Sequence, residues 1–141
     1  MILFCDTSAL IKLLIQEPGT PEMLQASAEA LAIAACRISW AEAMAAMARR
    51  QRENPLSGEA IELARERLRQ IWPSLSLVEV SQPLVEAAGR FADGFALRGY
   101  DSVQLAAASV LQASTDEPVV FACFDRRLNQ AAQLLRLKTL A

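Results

Sequence analysis

The chain has 141 residues, 53% of them hydrophobic and 21% charged, with a formal net charge of -2 and no histidine. Length and composition predict one folded domain, residues 1–141, with a substantial core, and they argue against disorder. The missing histidine excludes Ser-His-Asp hydrolysis, histidine-based ribonuclease chemistry and histidine metal ligands, so any catalysis rests on carboxylates, hydroxyls, thiols, lysine or arginine.

The small net charge gives no overall basic footprint for nucleic acid. Asp6 and Lys12 interrupt the first apolar run, which reads against a signal peptide, and no stretch approaches the ~20 apolar residues of a membrane span. A soluble, cytoplasmic protein with no membrane partner is expected. Cys5, Cys36 and Cys123 are odd in number, widely spaced and form no CxxC pair, so small buried thiols are expected rather than a zinc site.

In chain order, Ile2-Leu3-Phe4-Cys5 predicts a short buried strand that delivers Asp6 to a helix over Ser8–Gln16, stopped by Pro18-Gly19. Pro21–Leu31 predicts a second helix, with Pro21 in its first turn. Ala32–Cys36 predicts a strand, against the helical preference of alanine. Ser39–Glu53 is a long Ala/Met/Arg helix broken by Asn54-Pro55, and Ser57 opens another that ends near Trp72-Pro73. Leu75–Val80 alternates as a strand does. Gln82–Leu97 is helical with Gly99 as its end, and Asp101–Ala113 is helical again. Val119–Cys123 is a buried strand, Asp125 starts a last helix to about Leu135, and Leu137–Leu140 adds a final strand. Strands alternating with helices imply an α/β fold with a parallel sheet.

Four acids stand at helix beginnings: Asp6, Glu42, Asp101 and Asp125. Each has a plain structural reading. Asp6 or Ser8 can cap the first helix, Asp125 reads as an N-cap, Ser39 with Glu42 spells a capping box, and Asp101 with Gln104 fits the same spacing. Together they say more. Asp6 and Asp125 both follow apolar strands and should leave the sheet at one edge, and Asp101 follows a helix end placed just before the Asp125 strand. Carboxylates converging there repel unless a cation joins them or some stay protonated. Oxygen-only ligands suit Mg²⁺ or Mn²⁺, and such a site performs metal-assisted attack of water on a phosphodiester. Asp93, mid-helix, and Asp116, in a turn, read as solvated surface.

These stretches resemble the PIN-domain family, and within it the VapC-type toxins of bacterial toxin–antitoxin systems. Asp6-Thr7-Ser8-Ala9-Leu10-Ile11-Lys12-Leu13 is similar to its first motif and Trp40-Ala41-Glu42 to its second. Tyr100-Asp101-Ser102-Val103-Gln104-Leu105-Ala106 is similar to the third and Phe124-Asp125-Arg126-Arg127-Leu128 to the fourth. The resemblance implies a three-layer α/β/α fold with a five-stranded parallel sheet of order 3-2-1-4-5. It implies a Mg²⁺- or Mn²⁺-dependent endoribonuclease in which Asp6, Glu42, Asp101 and Asp125 are catalytic. Asp6, Asp101 and Asp125 hold the metal, and Ser8 adds a hydroxyl to the metal's water shell. It also implies a homodimer and an antitoxin whose amphipathic segment lies in an apolar groove between helices. One position departs from the pattern. Two residues before the fourth acid the family often has Thr, Ser or Asn, and here Cys123 is a weak donor. A module that binds RNA or protein without cutting is the alternative that Cys123 leaves open.

RNA demands positive charge beside the acids. Arg126 and Arg127 adjoin Asp125 and Arg98 precedes Asp101, so these three are the candidate phosphate contacts. Arg49, Arg50, Arg52, Arg65, Arg67 and Arg69 read first as a solvated face paired with Glu53, Glu62 and Glu66.

Overall fold

A computed structural model describes residues 1–140. Five strands, β1 (Ile2–Cys5), β2 (Ala32–Cys36), β3 (Ser76–Val78), β4 (Val119–Ala122) and β5 (Lys138–Thr139), form one sheet in the order β3-β2-β1-β4-β5. Every pairing is parallel. Seven α-helices connect and cover it: α1 (Thr7–Lys12), α2 (Thr20–Glu29), α3 (Ser39–Glu53), α4 (Gly58–Ile71), α5 (Gln82–Phe95), α6 (Gly99–Ala113) and α7 (Arg126–Leu134). The expected fold and strand order are thus observed.

Alternation along the strands builds two cores. Phe4, Ala34, Cys36, Phe121 and Cys123 point to the face covered by α5, α6 and α7, where Leu84, Leu105, Leu128 and Ala132 meet them. Phe4 and Phe121, directly paired in the sheet, stack with ring centroids 5.9 Å apart. Leu3, Cys5 and Ala122 point to the other face and pack with Leu10, Leu14, Met23, Met47, Ile61 and Leu68 from α1 to α4. β2 forms despite its alanines because Ala34, Ala35 and Cys36 are enclosed between two helical layers, and small side chains let those layers close. All three cysteines are free and buried. Among the described residues no helix is long and apolar enough to cross a membrane.

Several boundaries differ from expectation, each with a local cause. α1 stops at Lys12 instead of Gln16. The Thr20 hydroxyl lies 2.8 Å from the Lys12 carbonyl and 2.9 Å from that of Ile15, and it takes an acceptor that a continuing helix would need. α2 ends at Glu29 rather than Leu31, and the Leu31 N–H turns to the Met1 carbonyl at 2.9 Å. Gly99 does not end α5. The left-handed turn is made at Ala96, φ 54°, and Gly99 is already the first residue of α6. β3 and β5 are shorter than their apolar patterns.

Candidate functional site

All five strands end at the same edge, and the chain changes direction at β1. It steps outward through β2 and β3, then crosses to β4 on the other side. A crevice opens at such a switch point, outside the carboxyl ends of the strands. Asp6 follows β1 directly and Asp125 follows β4 after Cys123 and Phe124. The Asp6 N–H bonds to the Ala122 carbonyl at 3.0 Å, which ties the two exits together.

Both aspartates cap the helix they precede. Asp6 Oδ1 accepts from the Ala9 N–H at 2.8 Å and from the Ser8 hydroxyl at 2.7 Å. Asp125 Oδ1 accepts from the Leu128 N–H at 2.8 Å. In each, one carboxylate oxygen is committed to the scaffold, and among the described residues the other accepts no hydrogen bond. Asp6 is only 5% exposed. Burial pushes its carboxyl up to about 6, against the lowering effect of the Ala9 and Ser8 bonds, and the charges of Asp101 and Glu42 add to the rise. The Asp101 carboxyl is likewise raised by burial and by Asp125, with Arg98 opposing. The four acids therefore share one electrostatic neighbourhood. Among the described residues no ion pair neutralises any of them.

The two expected capping boxes are corrected. α3 already begins at Ser39, with Ile38 in helical conformation before it and no side-chain cap. Asp101 stands third in α6, behind Arg98 as the N-cap, and the Ser102 hydroxyl donates to the Arg98 carbonyl at 2.8 Å. Both helices start a little earlier than the Ser-x-x-Glu spacing suggests, which frees the polar side chains for longer-range contacts. Ser39 and Gln104 are buried and gather around Glu42. Gln104 Nε2 donates to Glu42 Oε1 at 2.8 Å, and the Thr7 hydroxyl donates to the same oxygen at 2.9 Å. Thr7 carries no local signal for this contact, and Ser39 and Gln104 carry the local pattern of capping residues. Apolar helix faces carrying isolated polar residues at 39 and 104 were the available signal.

Arg98 and Arg127 line one cavity of about 230 Å³ with Asp101 and Asp125. Arg127 also reaches the Ala96 carbonyl at 3.3 Å. Arg126 is exposed outside that cavity. Of the arginines of α3 and α4, Arg49, Arg65 and Arg69 form the expected surface pairs with Glu53, Glu62 and Glu66, whereas Arg50 pairs with Glu17 at 2.6 Å and Arg67 donates to the Leu14 carbonyl at 2.9 Å. Two aromatic rings stand beside the acids: Tyr100 and Phe124, both exposed, immediately precede Asp101 and Asp125. Tyr100 also lines a cavity of about 420 Å³ with Ile38, Ala41, Glu42 and Ala45. Asp93 and Asp116 are exposed, in line with the surface reading. The Cys123 thiol donates to the Asp125 backbone carbonyl at 3.6 Å rather than to its carboxylate. Burial and then the Asp6 charge push this thiol up to about 12.

The donor set bears on which ion fits. The acids are oxygen ligands with unbonded oxygens, held at one edge with their charges unneutralised. Among the described residues no three Asp, Glu, Cys or His side chains make a ready-made ion cage. That argues against a tight all-protein site. It suits Mg²⁺ or Mn²⁺, hard ions that keep several waters and take one or two carboxylates together with substrate phosphate.

The PIN domain model matches residues 3–134. The chain is 31% identical over 131 residues to two Mycobacterium tuberculosis proteins, ribonuclease VapC45 and ribonuclease VapC49, covering 93% of this chain and 89% of each relative. Among solved structures it resembles FitAcB from Neisseria gonorrhoeae, with TM-score 0.68 and 20% identity over 99% of this chain and 96% of that one. It also resembles VapBC2 from Rickettsia felis bound to a promoter DNA fragment, with TM-score 0.67 and 13% identity over 99% and 97%. Strand order, the four acids in sequence and the family match over nearly the whole length agree: the chain belongs to the PIN-domain family and is of the VapC type.

Proposed function

We propose that this protein is a Mg²⁺- or Mn²⁺-dependent endoribonuclease that acts as the toxin of a toxin–antitoxin pair. The observation that carries the reading is the electrostatic grouping of Asp6, Glu42, Asp101 and Asp125 at the β1/β4 switch point, with no ion pair to any of them among the described residues. Asp6, Asp101 and Asp125 would hold the ion, one or two of them directly and the rest through its waters, with the Ser8 hydroxyl beside them. A bound divalent ion supplies Lewis-acid polarisation of the phosphodiester. Glu42, whose Oε2 accepts no hydrogen bond among the described residues, takes the proton of the attacking water. Water oxygen joins phosphorus, the P–O bond to the leaving nucleoside breaks, the leaving oxygen takes a proton from solvent, and Glu42 returns its proton to solvent. Arg98 and Arg127 face the phosphates from the cavity that contains Asp101 and Asp125. Exposed Tyr100 and Phe124 add the flat surfaces on which unpaired bases stack.

The curated relatives are named ribonucleases, and solved structures of similar fold include toxin–antitoxin complexes. These support an RNA substrate and an antitoxin partner. An apolar trough of about 410 Å³ between α5 and α6, lined by Val85, Ala88, Ala92 and Val103, offers a seat for an antitoxin segment or for a second copy in a homodimer. The test is cleavage of RNA by the purified chain without a partner. Cutting should require Mg²⁺ or Mn²⁺, stop with chelator and vanish in Asp6→Asn. Undiminished cutting in chelator, or by Asp6→Asn, would remove the reading.

A further inference from the structure

Four polar side chains from three helices meet at Glu42: Thr7 from α1, Ser39 and Glu42 itself from α3, and Gln104 from α6. Their separations in sequence reach 97 residues, so the grouping is made by the fold alone. Counting protons fixes its direction. The Gln104 amide has two N–H bonds. Its shortest contacts are Glu42 Oε1 at 2.8 Å and Ser39 Oγ at 3.1 Å, with Thr7 Oγ1 farther off at 3.3 Å. Thr7 has one O–H, and the carboxylate oxygen at 2.9 Å is its better acceptor than Ser39 Oγ at 3.2 Å. Ser39 then gives its own proton to Thr7. Each proton is used once, and two branches from one amide converge on Glu42 Oε1. Oε2 of the same carboxylate is left without a hydrogen bond among the described residues.

The arrangement carries a cost. Gln104 is 2% exposed, and its Oε1 is buried with no hydrogen-bond partner among the described residues. A buried orphan acceptor typically costs about 1–3 kcal/mol. Turning the amide over would not relieve it, because the carbonyl oxygen would then face the Glu42 carboxylate. An apolar residue at 104 would carry no orphan in a helix that otherwise buries Leu105, Ala106, Ala107 and Ala108. Cost borne in the core next to a proposed catalytic carboxylate points to a task there.

We infer that Gln104 is a positioning residue for the nuclease reaction: through its direct bond, and through Ser39 and Thr7, it fixes the Glu42 carboxylate so that Oε2 faces the attacking water. This inference rests on the ribonuclease reading of the site. Gln104 touches no substrate and acts only through Glu42.

The experiment is steady-state cleavage of one RNA, with substrate in excess over enzyme and saturating Mn²⁺. It compares wild type, Gln104→Met, Thr7→Val and Thr7→Ser, each also placed on Glu42→Ala, with melting curves for all. Wild-type cutting that is lost in Asp6→Asn establishes the underlying reading first. Given that, Gln104→Met and Thr7→Val should each lower kcat by about 10- to 100-fold with KM for RNA unchanged, the usual effect of removing a partner that orients a site carboxylate. Thr7→Ser should recover most of the rate. On Glu42→Ala neither change should cost anything further, because its target is gone. A wild-type kcat in Gln104→Met, or a loss of the same size on Glu42→Ala, overturns the inference and leaves the ribonuclease reading standing. If Gln104→Met does not fold, Thr7→Val decides: a kcat loss rescued by serine supports the network, and an unchanged kcat refutes it.

Discussion

Asp6→Asn should make the metal-free protein more stable at neutral pH while removing its activity. Asp6 is almost fully enclosed, and burial raises its carboxyl from an ordinary 3.8 to about 6. Between those values the folded state holds more protons than the unfolded one. Stability therefore falls as pH rises through that window, and the penalty is complete above it. At pH 7.5 the charge costs about 3 kcal/mol, already net of the Ala9 and Ser8 hydrogen bonds. Asparagine resembles the protonated acid and keeps an oxygen for both donors, but its Nδ2 needs an acceptor in a tight site, at about 1–2 kcal/mol. The net gain is about 1–2 kcal/mol, or about 3–8 °C in Tm for a chain of this size. Thermal melts of wild type and variant in EDTA between pH 4 and 8 measure it. The variant should melt higher above pH 6, and the gap should close toward pH 4. Added Mn²⁺ at about 100 times its Kd should restore about 2.7 kcal/mol to wild type and little to the variant. A variant no more stable than wild type at pH 7.5, or a gap independent of pH, would refute the argument that this buried charge strains the fold.

Gly19→Ala should lower Tm by about 3–10 °C in the same melts, a loss of about 1–3 kcal/mol. Gly19 has φ 97°, and a Cβ there would sit 2.7 Å from Lys12 Cδ and 2.8 Å from Phe124 Cε1. Lys12 cannot swing away freely, because Glu17 holds its ammonium at 2.9 Å while it lies 4.5 Å over the Phe124 ring. Arg98→Ala and Arg127→Ala should each raise KM for RNA and reduce the salt slope of binding by about 0.7, as for one lost single-strand phosphate contact, and Arg126→Ala should do less. Binding isotherms across a salt series check this. The native protein should resist alkylation at pH 8, since Cys5, Cys36 and Cys123 are buried and burial raises all three thiols, whereas the denatured chain should react at all three. Mass spectrometry after iodoacetamide counts them.

Which parts of this molecule can be read from its sequence follows from the range of the forces involved. The Ile2–Cys5 and Val119–Ala122 strands and the Asp6 and Asp125 caps are written in adjacent residues, and they form as the pattern predicts. The Ala32–Cys36 strand was less legible, because what makes it a strand is enclosure between two helical layers rather than local preference. Ser39-x-x-Glu42 misleads for a related reason. The spacing that closes a capping box also presents a serine and a glutamate to neighbouring helices, and only the position of α6 shows that Gln104 claims both. Gly99 invites reading as a helix end, yet Ala96 adopts the left-handed turn three residues earlier. The grouping of the four acids needed the strand order, which the family resemblance implied and residue patterns alone did not fix.

Asp6, Glu42 and Asp125 each commit one oxygen to the protein and, among the described residues, leave the other without a bond. The orientation of these carboxylates is set by backbone N–H groups and buried donors, independently of any ion. Withdrawing a cation would then leave the ligands standing where they were, and returning it would require only an exchange of water molecules. An enzyme of the proposed kind would be emptied and refilled without passing through a rearranged state. On the proposed reading, ion supply would act as a quick and reversible throttle that changes how stable the fold is without changing its shape.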